Sequence, residues 1–379
     1  MGKKIGILTF HKSLNYGSAL QVFALVQKLR ELGYDAEVID YKQNNYDYQY
    51  KLLKAPVSAK AVKYDIIHMA FLGTLIRRAK AFPDFCEKYL YLGKEKLKYG
   101  DDLSCLSEQY DTIICGSDQI WNPNARDFDT NYFLPDIQNV TKVSYAVSIN
   151  GGSLASTSVA DQLKKNLLAF HALSVREESG RKNLNDFLMG EREVSVVLDP
   201  TLLHNKEKYD AVSAPRLVQE PYIFFYSINF MPDAIQAAEN LSKRTGLPVY
   251  TLFAGRGNKC LLKAANKFHI WKKSVGPEAY ISLLKYSDYV VTNSFHGTAF
   301  SIIYEKNFYS VGCAGQDGQL KYDERICDGL AQFGLLDRVV TKEQIKDVSL
   351  DAQIDYQNVG KIREELIQES VNYLKDALK

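Results

Sequence analysis

Short apolar runs alternate with stretches of helical periodicity along nearly the whole chain, which is the pattern of a parallel sheet covered by helices. Residues 3–10 read as a strand, 19–32 carry an apolar stripe at helical spacing, Gly33 ends that helix, and 36–41 read as a second strand. The opening is therefore a β–α–β unit, and residues 13–18 lie where such units bind ligands, at the carboxyl end of the first strand. The loop is not Gly-x-Gly-x-x-Gly. Strands resume at 110–115 and 143–149, each running into a loop on the same edge, 116–123 and 150–153. After a helix near 162–170, residues 172–175 form a short strand whose end presents Arg176, and 194–198 lead into Asp199, Pro200 and Thr201.

Around 213–221 the composition becomes linker-like and the alternation restarts at 222–228. A helix over 232–245, a strand over 248–254 with loop 255–258, and a helix opened by Gly276 and Pro277 follow. The richest junction comes next. Tyr289, Val290, Val291 and Thr292 form a strand that turns through Asn293, Ser294, Phe295 and His296 into a helix with Gly297 and Thr298 in its first turn. Helix starts leave backbone N–H groups unpaired and favour bound anions, so a histidine here faces whatever anion is held. A further strand, 308–311, runs into the glycine-rich loop 312–318, and the last helix, 361–378, has one apolar face. The expected organisation is α/β: a Rossmann-like domain over 1–215, a second over 220–360, a hinge near 213–221, and a terminal helix over 361–379 packing back on the first domain. The loops carrying Asn15, Asp118, Arg176 and His296 should line one cleft.

Residues 43–100 stand apart as a mainly helical insertion rich in tyrosine and lysine. Within it Leu75, Ile76, Arg77, Arg78 and Lys80 form a basic amphipathic patch, read as a solvated helix face, with peripheral membrane contact as the sharper alternative. Tyr41, Tyr46, Tyr48 and Tyr50 either stack on sugar rings or pack the insertion.

At 379 residues with 46% hydrophobic content the chain fills two cores, and a net charge of +2 argues against a nucleic-acid partner. The first apolar run is too short and too quickly polar for a secretory leader, and no stretch approaches a membrane span. Six scattered cysteines without a Cys-x-x-Cys pair suit reduced thiols, so a cytoplasmic setting is expected, with contact at the inner membrane face as an option. No cluster has metal-ligand spacing, and neither metal nor cofactor is expected. Oligomeric state is not readable.

In order, Asn15-Tyr16-Gly17, Gly116-Ser117-Asp118-Gln119-Ile120-Trp121, Ser174-Val175-Arg176-Glu177-Glu178-Ser179, Asp199-Pro200-Thr201 and Ser294-Phe295-His296-Gly297-Thr298 resemble the polysaccharide pyruvyl transferase family. The resemblance runs from about residue 5 to 340. It implies two facing Rossmann-like domains similar to the B-type glycosyltransferases, phosphoenolpyruvate as donor, and a sugar or lipid-linked glycan acceptor. The product would be a pyruvate ketal on a cell-surface glycan precursor. Members carry Arg-Leu-His at the catalytic turn, where this chain has Ser294-Phe295-His296, so the histidine carries over and the arginine does not.

On that resemblance His296 is the acid or base, Arg176 clamps the donor by bidentate contact, and Ser294, Gly297 and Thr298 hold it at the helix start. Arg325 is the candidate for the missing cation, with a surface helix position as its other reading. Asn15, Tyr16, Gly17, Ser117 and Asp118 meet the acceptor, Asp118 serving as base or as a turn cap. A nucleotide-sugar glycosyltransferase of the same fold and a non-catalytic glycan-binding or assembly protein remain as alternatives.

Overall fold

The computed structural model describes residues 3–45, 51, 58–135, 137–253, 259–314 and 320–379. The first half contains β1 (Lys4–Leu8), α1 (Tyr16–Glu31), β2 (Asp35–Lys42), α2 (Ala59–Ala70), α3 (Leu72–Tyr89), β3 (Leu92–Lys98), β4 (Thr112–Cys115) and β5 (Thr141–Ser144). Its sheet runs β3-β2-β1-β4-β5, every neighbour parallel. After α4 (Ala160–Leu168) the sheet is extended by β6 (Leu173–Val175), which bridges at Val143–Ala172 and Val147–Val175, and, beyond α5 (Glu178–Leu188), by β7 (Val194–Val196). Strands such as β4 are buried at every position, as a parallel sheet covered on both faces requires.

The second half repeats the plan with β8 (Ile223–Tyr226), α6 (Pro232–Thr245), β9 (Val249–Leu252), α7 (Lys259–Ala265), β10 (His269–Trp271), α8 (Pro277–Lys285), β11 (Tyr289–Thr292), α9 (Phe295–Ile303), β12 (Asn307–Val311), α10 (Glu324–Gln332) and β13 (Val339–Val340). Its strand order is β10-β9-β8-β11-β12-β13, again all parallel. Between the halves Ala214 N–H donates to Glu278 O (3.0 Å) and Ser282 Oγ donates to Pro215 O (2.8 Å), so the connecting segment is held against α8. The last helix, α11 (Tyr356–Ala377), lies on the first half. Leu198 N–H donates to Ser370 Oγ (2.9 Å), Tyr373 donates to Ser144 O (2.8 Å), and Arg363 donates to Leu202 O (3.1 Å).

One apolar cluster runs unbroken through both halves, joining Ile5, Phe23 and Phe85 to Phe224, Leu283 and Phe300. Tyr16 is its bridge. Its ring stacks on Tyr280 at 5.2 Å and its hydroxyl donates to Val275 O (3.1 Å), both in the second half.

Two sequence expectations are corrected. The inserted helical region does not extend to residue 100, because Leu92–Lys98 forms the outer strand of the first sheet. Its lysines, Lys94, Lys96 and Lys98, are the residues that guard an exposed sheet edge. Nor do residues 75–80 form one solvated basic face: Leu75 and Arg78 are buried, and Arg78 donates to Leu14 O beneath the site while lying over the Tyr16 and Phe82 rings. Of the four tyrosines, Tyr41 is buried and donates to Asp129; Tyr46, Tyr48 and Tyr50 lie outside the described residues, as do loops 255–258 and 315–318.

Candidate functional site

The carboxyl edges of the two sheets meet around His296. Strand β11 ends at Thr292, Ser294 caps α9 with extended backbone, and its hydroxyl accepts from Gly297 N–H (3.4 Å). Only glycine fits at 297, since a Cβ there would sit 2.2 Å from Thr292 Oγ1, and that hydroxyl already donates to Tyr226 O. The helix is thus pressed onto the strand, and His296 in its first turn is directed at the first half. There Gly17, in the first turn of α1, lies against the imidazole: a Cβ at 17 would sit 2.1 Å from His296 Nδ1. The glycine of Asn15-Tyr16-Gly17 is therefore a contact surface for the histidine of the other domain.

Facing His296 is a charged cluster built from strand ends of the first half. Arg176, which follows β6, donates through Nη1 to Asp199 Oδ2 (2.9 Å) and through Nε to Glu177 Oε1 (3.1 Å), and its Nη2 lies 3.9 Å from Asp118 Oδ1. Its guanidinium packs over the Phe295 ring, 4.3 Å from the centroid. The same Asp199 Oδ2 accepts from Ser117 Oγ (3.1 Å) and lies 3.6 Å from His296 Nε2, so Arg176 and His296 share one carboxylate oxygen. Asp199 Oδ1 accepts from the Thr201 hydroxyl (2.7 Å) and N–H (3.0 Å). Asp118 has a left-handed backbone (φ 72°), a conformation that aspartate tolerates, and accepts the Ser18 hydroxyl.

These groups are almost wholly out of water, Arg176 at 3%, Glu177 at 1% and Asp199 at 1% exposure. Burial pushes the Asp199 carboxyl up, but His296, Arg176 and Thr201 outweigh it and hold Asp199 well below the carboxylate range. Burial alone would lower Arg176, yet Glu177, Asp199 and Asp118 together raise it. Glu177 goes the other way, raised by burial against the pull of Arg176. Three polar atoms, Arg176 Nη2, Glu177 Oε2 and His296 Nε2, are buried without a hydrogen-bond partner. Unpaired buried groups cost about 1–3 kcal/mol each, which a ligand would offset.

The structure brings His296, Arg176, Asp118, Ser117 and Gly17 together and gives several of them duties the sequence did not. Arg176 is not an open fork: Nε and Nη1 are engaged, leaving Nη2. Tyr16 is fully buried and belongs to the interdomain core instead of meeting an acceptor. Asn15 caps α1, accepting from Gly17 N–H (2.9 Å) and Ser18 N–H (3.4 Å). Ser117 binds Asp199 and Ala146 O, and the Thr298 hydroxyl is shared between Ser294 O and Ser310. Arg325, at the start of α10, is gripped by Asp323 through Nε (2.8 Å) and Nη2. With Arg176 it pulls against the burial that raises Glu177, and α10 is tied to α5 by Asp328, which accepts the Ser179 hydroxyl (2.9 Å).

Asp199 and Glu177 were not singled out from the sequence as site residues. The available signal was positional: Asp199 directly follows an apolar strand-forming run on the ligand-facing edge, and Glu177 stands one residue beyond another, after Arg176. Among the described residues no group of three or more His, Cys, Asp and Glu is placed to hold a metal ion.

No curated protein matches the sequence. Solved structures match over almost the full length. A candidate UDP-N-acetylglucosamine 2-epimerase from Listeria monocytogenes superposes with TM-score 0.56 at 8% identity, covering 97% of this chain and 91% of that one. A UDP-forming α,α-trehalose-phosphate synthase from Burkholderia xenovorans gives 0.54 at 9% identity (100% and 99%). The UDP-N-acetylglucosamine 2-epimerase of Methanocaldococcus jannaschii gives 0.52 at 13% (98% and 100%). At such identities the likeness is one of fold, the paired Rossmann-like domains of the B-type glycosyltransferase architecture. The family model for polysaccharide pyruvyl transferase matches residues 15–315, from the glycine loop that touches His296 past the histidine turn itself, and the chain belongs to the polysaccharide pyruvyl transferase family.

Proposed function

We propose that this protein transfers the pyruvyl group of phosphoenolpyruvate to two hydroxyls of a sugar in a cell-surface polysaccharide precursor, free or lipid-linked, forming a pyruvate ketal. The observation that carries the reading is the convergence of His296 and Arg176 on one buried Asp199 oxygen at the interdomain edge, in a chain of this family. His296 protonates the methylene carbon of the enol, which becomes the methyl group. The first acceptor hydroxyl attacks the resulting cationic carbon and gives its proton to Asp118, from which it returns to His296 before the next turnover. Phosphate then leaves, the second hydroxyl closes the ketal, and its proton departs with phosphate.

Asp199 orients the imidazole and offsets the positive charge His296 carries before transfer. Arg176 Nη2 takes one donor oxygen, and the α9 start at Gly297 holds phosphate on backbone N–H groups. Because carboxylates surround Arg176, a second cation is needed against phosphate plus carboxylate, and Arg325 supplies it by exchanging Asp323 for the donor. Asp118, on the acceptor side, receives the proton of the attacking hydroxyl. The test is turnover in deuterated water followed by mass spectrometry of the sugar. The product should gain one pyruvylidene unit bearing a single deuterium in its methyl group, with one phosphate released. Transfer of an intact enolpyruvyl group, or transfer from a nucleotide sugar only, would sink the reading.

A further inference from the structure

Of the large apolar side chains that stand in water, four fall on one pair of helices. Val62 (42% exposed), Ile66 (63%) and Met69 (65%) project from α2, and Ile76 (53%) from α3. The spacing 62, 66, 69 keeps the first three within one narrow strip of the helix. Nothing else among the described residues covers that strip, while the opposite side of α2 is held down by His68 and by Phe71 at its end, both packed on Phe253.

Cations from both halves of the molecule collect beside it. Arg77 is exposed and donates through Nε to Lys272 O (3.0 Å), which sets the exposed pair Lys272 and Lys273 alongside α3. Lys272 Nζ lies 5.3 Å from the Phe71 ring centroid, at the corner between the helices. Lys80 follows on the exposed side of α3, paired with Asp84. Between residues 51 and 91 the sequence carries eight Lys or Arg against three Asp or Glu, a local excess in a chain whose overall charge is nearly balanced. An exposed apolar strip rimmed by cations is the chemistry of an anionic bilayer surface, with the side chains entering the headgroup boundary and the cations meeting lipid phosphates.

The structure assigns this corner, Val62, Ile66, Met69 and Ile76 with Arg77, Lys272 and Lys273, as a docking face for an anionic membrane surface. The face is rooted at the site: Arg78 on α3 donates to Leu14 O in the loop that carries Asn15 and Gly17. A docked molecule therefore brings the acceptor side of its cleft to the lipid, where a lipid-linked sugar would be presented. The docking itself does not depend on the donor being phosphoenolpyruvate.

Flotation of the full chain with neutral phosphatidylcholine vesicles and with vesicles containing a third phosphatidylglycerol tests it. Partition should favour the anionic vesicles and weaken with salt. Ile66→Asp with Met69→Asp should lower it roughly tenfold or more, and Arg77→Glu with Lys273→Glu by a similar factor, at about tenfold per 1.4 kcal/mol. Thermal melts of both variants should match the parent, since all four side chains are exposed. Absence of vesicle binding, equal binding to both vesicle types, or a dimer in solution that the Ile66/Met69 variant dissolves would each overturn the assignment, the last in favour of a second copy of the chain. Phosphate release from phosphoenolpyruvate with a soluble sugar, measured on the same preparations, keeps the two readings apart: the variants should retain it.

Discussion

Gly17 and Asp199 decide whether His296 is held or loose. Since a Cβ at 17 would overlap the imidazole, Gly17→Ala must push His296 away from Asp199 or part the two halves locally. We expect kcat to fall by about a hundredfold or more, the scale that an ångström of misplacement reaches, with about 1–3 kcal/mol lost from stability by overpacking. Steady-state phosphate release and a denaturant titration check both, and an Ala variant of full activity would show that the contact does not position the histidine. Asn15→Ala is the control, because it removes only a helix cap worth about 1 kcal/mol. Asp199 carries more. Asp199→Asn keeps the shape but leaves Arg176 facing an uncharged amide, and breaking such a buried pair costs about 3–5 kcal/mol. It should therefore cut both melting temperature and kcat, and a variant that keeps its activity would remove Asp199 from the mechanism.

At the level of elements, the connection between α1 and the start of the long terminal helix has its own pH signature. His204 is buried, and its Nε2 sits 2.9 Å from Ala24 O. Burial lowers it to about 4, so that despite Glu31 at 3.7 Å the ring is neutral at pH 7 and donates to that carbonyl. A base depressed in the folded state is protonated first in the unfolded chain, so stability is lost as pH falls from about 6.5 towards 4, by up to about 3 kcal/mol. His204→Gln should flatten the slope of melting temperature against pH in that window; an unchanged slope would assign it to other groups. Elements also show what the sequence could carry. The strand runs ending at Cys115, Val175 and Thr292 were legible because parallel strands are buried throughout, and the histidine turn because helix caps are local. Leu92–Lys98 was not, since an edge strand is half in water and its lysines read equally well as helix. Tyr16 was misread for a related reason. Its place in the Asn15-Tyr16-Gly17 loop of the family pattern implied an acceptor contact, whereas the partner that satisfies its hydroxyl, Val275 O, is 259 residues away.

The molecule as a whole is two sheets facing each other with their carboxyl edges inward, joined by one apolar core beneath the site. Tyr16 is the tie. Tyr16→Phe should cost about 1 kcal/mol for the lost hydrogen bond and leave the acceptor KM unchanged, while Tyr16→Ala should cost about 3–5 kcal/mol by opening a cavity between the halves. A raised acceptor KM in the Phe variant, with unchanged stability, would return Tyr16 to the acceptor site. This same closure sets His296, from the second half, against Gly17 and Asp199, from the first, and the central claim is that the pairing moves a proton. The most direct measurement is phosphate release from phosphoenolpyruvate, with a sugar diol as acceptor, by His296→Gln. Glutamine preserves the size and hydrogen bonding of the turn but cannot deliver a proton to carbon, so turnover should fall by about 10²–10⁴ with the melting temperature unchanged. A Gln variant that turns over like the parent would contradict the account and leave His296 a structural residue of the interdomain contact.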